Sequence, residues 1–500
     1  MNIALILQMA AEAEPQRIGL VCDGRRWSYQ SLLRTAQGAA VNILSKGTAY
    51  VALLDENSEA SAIALLGAAL AGVPYVPLNY RLADADLAAL LQRITPACIV
   101  GDAERVKRLS PDGCHALHTR AQFVAAAEQQ TASPPDIDVA AGVAVQLFTS
   151  GTTAAPKAAL LRHSNLLSYI LGTVEFSSAT EDEAALVCVP PYHIAGIAAL
   201  LSCIYSMRRI VLLPAFDPDR WLALAAAERA TNAFVVPTML ARIIARVDAG
   251  AAADLSALQA IAYGGGRMPT ELIERALELF TEVGFTNAYG LTETSSTIAL
   301  LGPQEHRMSQ RATDPAVRAR LGSVGKPLPT VQIEIRDEAG RPLPPGQRGE
   351  IYVRGEQVCG EYRERKALDT GGWFATRDAG WLDDEGYLFL AGRADDVIVR
   401  GGENISPGEI EDELLAHPAI ADAAAVAVPS VEWGEAVAIA IVPKPGHAAP
   451  SDDELRALIK NRLRSSRVPE RIAVLDALPY NEMGKLLRRE VRALFHSQPA

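Results

Sequence analysis

The chain is short of positive charge and of cysteine. Against 59 Asp and Glu it has 47 Lys and Arg, a formal net charge of −12, so no broad basic surface for nucleic acid is expected. Six scattered cysteines (Cys22, Cys98, Cys114, Cys188, Cys203, Cys359) include no C-x-x-C pair. That argues against a disulfide frame or a zinc ribbon and for a reduced, cytoplasmic setting. Apolar runs are short. The longest, "AIALLGAALAGVPYVPL" (62–78), is interrupted by Gly and Pro and reads as a buried helix entering a strand, not a membrane span. The opening "MNIALILQMAAEAEPQR" has no basic leader, and Glu12 and Glu14 follow closely, so it reads as an amphipathic helix of a soluble protein. Repeats and low-complexity tracts are missing too.

What is present is alternation. Short β-rich runs, "YVALL" (50–54), "ACIVG" (97–101), "RIVLLP" (209–214) and "NAFVVP" (232–237), alternate with helical stretches such as 217–230 and 268–280. This pattern implies helix-covered parallel sheets. From about 330 the texture becomes hairpin-like, "VQIEIRDEAGRPLPPGQRGEIYVRG", as in a small β subdomain. The last hundred residues repeat an α+β texture, with Ser451 a candidate helix cap. At 500 residues, more than one domain is expected. The predicted fold class is therefore α/β: a large N-terminal domain, 1–392, of helix-covered sheets plus a β subdomain, and a small α+β C-terminal domain, 393–500.

One loop carries chemistry on its face. "LFTSGTTAAPKAAL" (147–160) sets Thr149, Ser150, Gly151, Thr152, Thr153 and Lys157 between two apolar runs that read as strands. Hydroxyls, backbone N–H groups around a glycine and one ammonium suit a polyphosphate. The spacing is not that of the G-x-x-x-x-G-K-[ST] loop, and a polar surface turn is the alternative.

Other segments lie in fixed order with it: "YHIAGI" (192–197), "YGGG" (263–266), "NAYGLTETSS" (287–296), "TRDAGW" (376–381), "GRADDVIVRGGEN" (392–404) and "NEMGKLLR" (481–488). Together they resemble the acyl- and aryl-CoA synthetase branch of the adenylate-forming superfamily, which includes 4-chlorobenzoate–, 4-coumarate– and o-succinylbenzoate–CoA ligases. The resemblance runs nearly end to end. It implies an AMP-forming acid–thiol ligase using ATP, Mg2+ and coenzyme A, with 1–392 as the adenylation domain and 393–500 as a mobile domain bringing a catalytic lysine.

The resemblance also implies roles residue by residue. Lys485 would reach the carboxylate and α-phosphate during adenylation, and Lys157 would serve the phosphate loop. Glu293 would stand beside Mg2+, and Thr292 at the α-phosphate. Tyr289 would stack on adenine opposite Gly264, Gly265 and Gly266. Asp378 would accept from the ribose hydroxyls, with Arg393 near ribose and phosphate. Asp395 matches a hinge about which the small domain turns. Gly401 and Gly402 would then let pantetheine pass, Trp433 would stack on the CoA adenine and Arg81 would meet a CoA phosphate. Two positions depart from the pattern: Ala154 stands where glycine is usual, and Ser466 where an aromatic precedes the basic Arg467.

For the acid, the resemblance points to a pocket of His193, Ile194, Ile197, Gly264 to Gly266, Ala288, Gly290 and Leu291, with His193 as its gate. The set is small and apolar, and Arg267 is the one nearby cation for a second carboxylate. An aryl or medium-chain monocarboxylate is therefore expected, since an unpaired buried charge is costly. o-Succinylbenzoate ligation, loading of a separate carrier protein and a non-catalytic nucleotide-binding relative are the other readings. A monomer or homodimer is expected.

Overall fold

The structure, a computed structural model, describes residues 2–110, 113–135, 137, 142–149, 156–393, 396–401, 403–481 and 486–496, the side chains of Asn404 and His496 excepted. Two sheets make the large domain. A nine-stranded sheet runs from the edge Lys326–Pro327 through Ser296–Leu301, Gly284–Leu291, Ala260–Gly264, Asn232–Val235, Ala184–Val187, Arg209–Leu212 and Ile18–Cys22 to Arg25–Ser28. Its six central strands are parallel and both margins antiparallel. The six-stranded sheet is parallel apart from the hairpin of Val143–Thr149 with Lys157–Arg162. The sheets are thus mixed rather than purely parallel as the alternation suggested.

Between the two sheets lies Glu59–Ala71, apolar on nearly every face and buried along its length. One apolar cluster passes from Leu20 and Ile210 of the first sheet through Ile63 and Leu66 to Val51 and Leu53 of the second. Strands covered on both faces must be apolar throughout, which explains the uninterrupted runs in the sequence. Local signals set the helix starts. Asp217 accepts from the N–H groups of Asp219 and Arg220 ahead of Pro218, and Ser451 accepts from Glu454, each satisfying donors the helix cannot.

The β subdomain is a four-stranded antiparallel sheet, Val331–Arg336, Gly349–Gly355, Phe374–Leu382 and Leu388–Arg393. A further sheet begins at Ile398–Arg400 and has its own core, including Ile405, Ile410, Leu414 and Ile439. Arg393 still belongs to the subdomain sheet, in register with Asp378.

His306 is fully buried beside that first sheet. Its Nδ1–H donates to the Gly302 carbonyl (2.7 Å), so Nε2 accepts from the Tyr263 hydroxyl (2.8 Å). Burial lowers its pKa to about 4 from an ordinary 6.5. The unfolded chain therefore binds the extra proton first, and stability falls as pH drops from 6.5 towards 4. At pH 5 this one group costs about 2 kcal/mol. The loss of unfolding free energy between pH 7 and pH 5, from denaturant titration, should shrink by about that amount in His306→Gln. An equal loss in both proteins would show that burial does not lower the pKa of His306 in the folded state.

Candidate active site

The phosphate-type loop sits at a hairpin tip. Thr149 and Lys157 face each other as the last pair of Val143–Thr149 and Lys157–Arg162, so the strands hold the loop's two ends together. Ser150, Gly151, Thr152 and Thr153 lie outside the described residues, as do Asp395, Gly402 and Lys485. The exposed Lys157 has its Nζ 5.8 Å from the ring centre of Tyr362.

Beside this hairpin the strand Gly284–Leu291 ends in a single 3-10 turn, Thr292–Thr294. Near the end of the strand Tyr289 is buried, while Ala288 and Leu291 are partly exposed. Glu293, on the turn, is 8% exposed and accepts from the Tyr362 hydroxyl at Oε1 (2.6 Å). Among the described residues no Lys, Arg or His lies within ion-pair distance of it. A largely buried carboxylate without a cation is unstable unless one arrives. That is what a magnesium–nucleotide site requires, because Mg2+ takes one or two carboxylates and fills its sphere with phosphate and water. No cluster of three His, Cys, Asp or Glu that could hold a metal by itself occurs among the described residues.

A second group lies on the other side of Tyr289. Asp378 accepts from the Tyr289 hydroxyl (2.7 Å) at one oxygen and from Arg393 (3.0 Å) at the other. Burial, then the Asp378 carboxylate, push the Tyr289 hydroxyl far above its usual pKa, so it stays a donor. A carboxylate has four acceptor sites, and two remain for a diol. Tyr289, Asp378 and Arg393, 89 and 15 residues apart along the chain, are thus joined as a unit.

The pocket residues divide. His193 caps Ile194–Ser206, and burial lowers its pKa to about 4, so it is neutral. Its ring packs on Tyr192, 4.6 Å between centres, and Tyr192 meets Tyr80 edge-on at 5.7 Å. This aromatic chain connects His193 to the loop bearing Arg81, and the sequence motifs assigned neither tyrosine a role. Ile197 faces the core, while Ile194 is partly exposed. Gly264 and Gly290 are small for the sheet's sake. A Cβ would stand 2.2 Å from the Ala288 carbonyl oxygen at Gly264, and 1.8 Å from that of Ser296 at Gly290. The neighbouring backbone therefore already requires glycine at both positions. Gly265 has φ +78°, a turn that favours glycine; Gly266 is half-buried.

Two arginines are committed elsewhere. Arg267 donates to the Gly408 carbonyl (3.0 Å) and pairs with Asp412 of the C-terminal part, so in this arrangement it joins the two parts. Arg467 pairs with Glu403 and with Glu409 (2.7 Å), so its charge is already compensated. Trp433 is 42% exposed rather than a core residue, lies against Gly401 and accepts that residue's N–H at its carbonyl (2.9 Å). A cavity of about 280 Å³ includes Tyr80, Arg81, Met239, Arg242, Tyr480 and Asn481 in its lining. A bridge between Tyr480 and Leu486 ties the two ends of the segment that carries Lys485.

The AMP-binding enzyme model matches residues 7–363, and the AMP-binding enzyme C-terminal domain model residues 409–485. The chain belongs to this family of adenylate-forming enzymes. Feruloyl-CoA synthase of Amycolatopsis sp is 31% identical over 495 residues, 97% of each chain. The fatty acid–[acyl-carrier-protein] ligase ScoC of Streptomyces coeruleorubidus is 32% identical over 511 residues, 98% of this chain and 96% of that one. The o-succinylbenzoate CoA synthetase MenE of Bacillus subtilis, solved with its acyl-adenylate intermediate, superposes with a TM-score of 0.83 at 28% identity over 97% of each chain. The same synthetase has also been solved with ATP and a magnesium ion, at a TM-score of 0.81 over 97% of this chain and 98% of that one, again at 28% identity. As an AMP-binding enzyme of the acyl- and aryl-CoA synthetase superfamily, the protein has the α/β large domain and small C-terminal domain that its motifs implied.

The Tyr289–Asp378–Arg393 unit yields a direct test. Asp378→Ala should weaken AMP binding by about 10- to 100-fold, the scale of hydrogen bonds to a charged group. Titration calorimetry with AMP measures it. Unchanged affinity would mean that Asp378 only braces Tyr289 and Arg393.

Proposed function

We propose that this enzyme activates an aryl or medium-chain monocarboxylic acid with ATP and passes the acyl group to coenzyme A. The observation that carries the reading is the buried Glu293 carboxylate, uncompensated by any described cation and set beside the Lys157 hairpin. In the first half-reaction an oxygen of the acid's carboxylate attacks the α-phosphorus of ATP, and the bond to the departing pyrophosphate breaks. In the second, the thiol sulfur attacks the acyl carbon, the thiol proton is lost to solvent and AMP leaves.

The protein contributes position and charge. Lys157 and the loop 149–153 hold the β- and γ-phosphates, Thr292 donates to the α-phosphate, and Asp378 with Arg393 holds the ribose. Adenine lies between the Tyr289 side of the strand and Gly264 to Gly266. Glu293 would hold Mg2+, whose chemistry is to neutralise phosphate charge. Lys485 approaches from the small domain for adenylation; a flexible ammonium suits a contact made in one step and broken in the next. Rotation of the part beyond Asp395 then turns Gly401, Gly402 and Trp433 towards the thiol's path, with Arg81 at a CoA phosphate.

Neutral His193, Ile194, Ala288 and Leu291 favour an apolar acid. While Arg267 is held by Asp412 and Gly408, it is not offered to a second carboxylate, which supports a monocarboxylate over short dicarboxylates and over o-succinylbenzoate. The internal pairing of Arg467 supports one alternative, delivery to a carrier protein whose pantetheine lacks the CoA nucleotide. Acidic composition and six free cysteines support a cytoplasmic enzyme, acting as a monomer or homodimer. Among the described residues no helix is long and apolar enough to cross a membrane.

AMP formation dependent on acid and CoA, measured across benzoate, a cinnamate, octanoate, o-succinylbenzoate and malonate, tests the substrate class. The expected order places the cinnamate or octanoate first and malonate last in kcat/KM. Ala288→Leu should cost the longest accepted acid about 1–3 kcal/mol relative to benzoate. A preference for malonate, or an order unchanged by Ala288→Leu, contradicts this pocket.

A further inference from the structure

The segment 359–363 is built into two parts of the site at once. Cys359 donates its N–H to the Glu293 carbonyl (2.9 Å), which ties the segment to the 3-10 turn. On its other side Leu160 donates to the Glu361 carbonyl (2.9 Å), Arg363 donates to the Ala158 carbonyl (2.9 Å), and Tyr362 bridges Ala159. Arg162 holds the Glu361 carboxylate with two hydrogen bonds, 2.8 and 2.9 Å. Backbone and side chain together therefore fix Tyr362 between the strand that starts at Lys157 and the turn that carries Glu293.

We propose that Tyr362 is a positioning residue for adenylation that holds Glu293 and Lys157 apart and ready. Its hydroxyl occupies Oε1 of Glu293 (2.6 Å), which fixes the carboxylate's orientation and leaves Oε2 for a cation. Its ring gives the Lys157 ammonium a π face at 5.8 Å, within the range of a cation–π contact. Without that ring, an exposed lysine and a nearby carboxylate short of a cation would pair, and each would be lost to the nucleotide. Tyrosine performs both tasks because it presents an aromatic face and a donor at its tip. The inference rests on the assignment of Glu293 to Mg2+ and of Lys157 to phosphate.

The test is a double-mutant cycle of Tyr362→Phe and Glu293→Gln, read by titration calorimetry of ATP with Mg2+ and of AMP without metal. Phenylalanine keeps the ring and removes the donor. Affinity for ATP with Mg2+ should fall about tenfold in Tyr362→Phe, the scale of one hydrogen bond to a charged group. AMP affinity should hold within about twofold, which also shows that the variant is folded. In the Glu293→Gln background the tyrosine change should add less than about twofold. Tyr362→Leu, which removes the ring as well, should lose more than Tyr362→Phe. Full multiplicative loss in the double variant, or unchanged affinity for ATP with Mg2+ in Tyr362→Phe, overturns the proposal. If Glu293→Gln alone leaves that affinity intact, the functional assignment of Glu293 fails and this proposal fails with it.

Discussion

Phosphate charge is the problem on which this molecule is organised. An acidic chain, net −12, that takes up a triphosphate must gather its few local donors and admit a cation where it has none. Glu293 shows the constraint in one side chain: largely buried, held by a neutral hydroxyl, and without a described protein cation. A protein that needed only stability would have placed an arginine there or an apolar residue. The hairpin that pairs Thr149 with Lys157, the turn 292–294 and the segment 359–363 all converge on this point.

A few ångströms of chemistry are supported by widely separated sequence. Tyr289 lies on the nine-stranded sheet, while Asp378 and Arg393 come from adjacent strands of the β subdomain. Arg393 is the last residue of that sheet, and the described chain resumes at residue 396 before the small domain's first strand, Ile398–Arg400. A displacement of the small domain would thus begin directly after a residue that grips Asp378. Arg267 and Ser406, which donates to the Ala391 carbonyl, join the two parts by a handful of polar contacts. Such contacts are cheap to exchange, in contrast to the continuous apolar cluster between the two large sheets.

The sequence disclosed what is local. Strands and helices followed from apolar runs and from caps such as Asp217 and Ser451, and the motifs named Asp378, Arg393, Gly401 and Trp433, which the fold does bring together in pairs. What stayed hidden depends on contacts across long separations. Tyr362 reaches Glu293 over 69 residues, and Arg267 reaches Asp412 over 145. Neither carries a spacing signal. Gly264 and Gly290 were legible from their motifs, but the close approach of the neighbouring backbone, which by itself requires glycine, was not. Arg467 kept its charge on paper and spends it on Glu403 and Glu409 in the fold. Ion pairing of that kind cannot be read from composition.

On this mechanism the chain joins an acid to AMP before any thiol takes part. Exchange of labelled pyrophosphate into ATP, with Mg2+ present and no thiol in the assay, measures that step alone. Exchange should depend on an added aryl or medium-chain acid and stop when the acid is withheld. Exchange that appears only after CoA is supplied, or that never responds to any such acid, would contradict it.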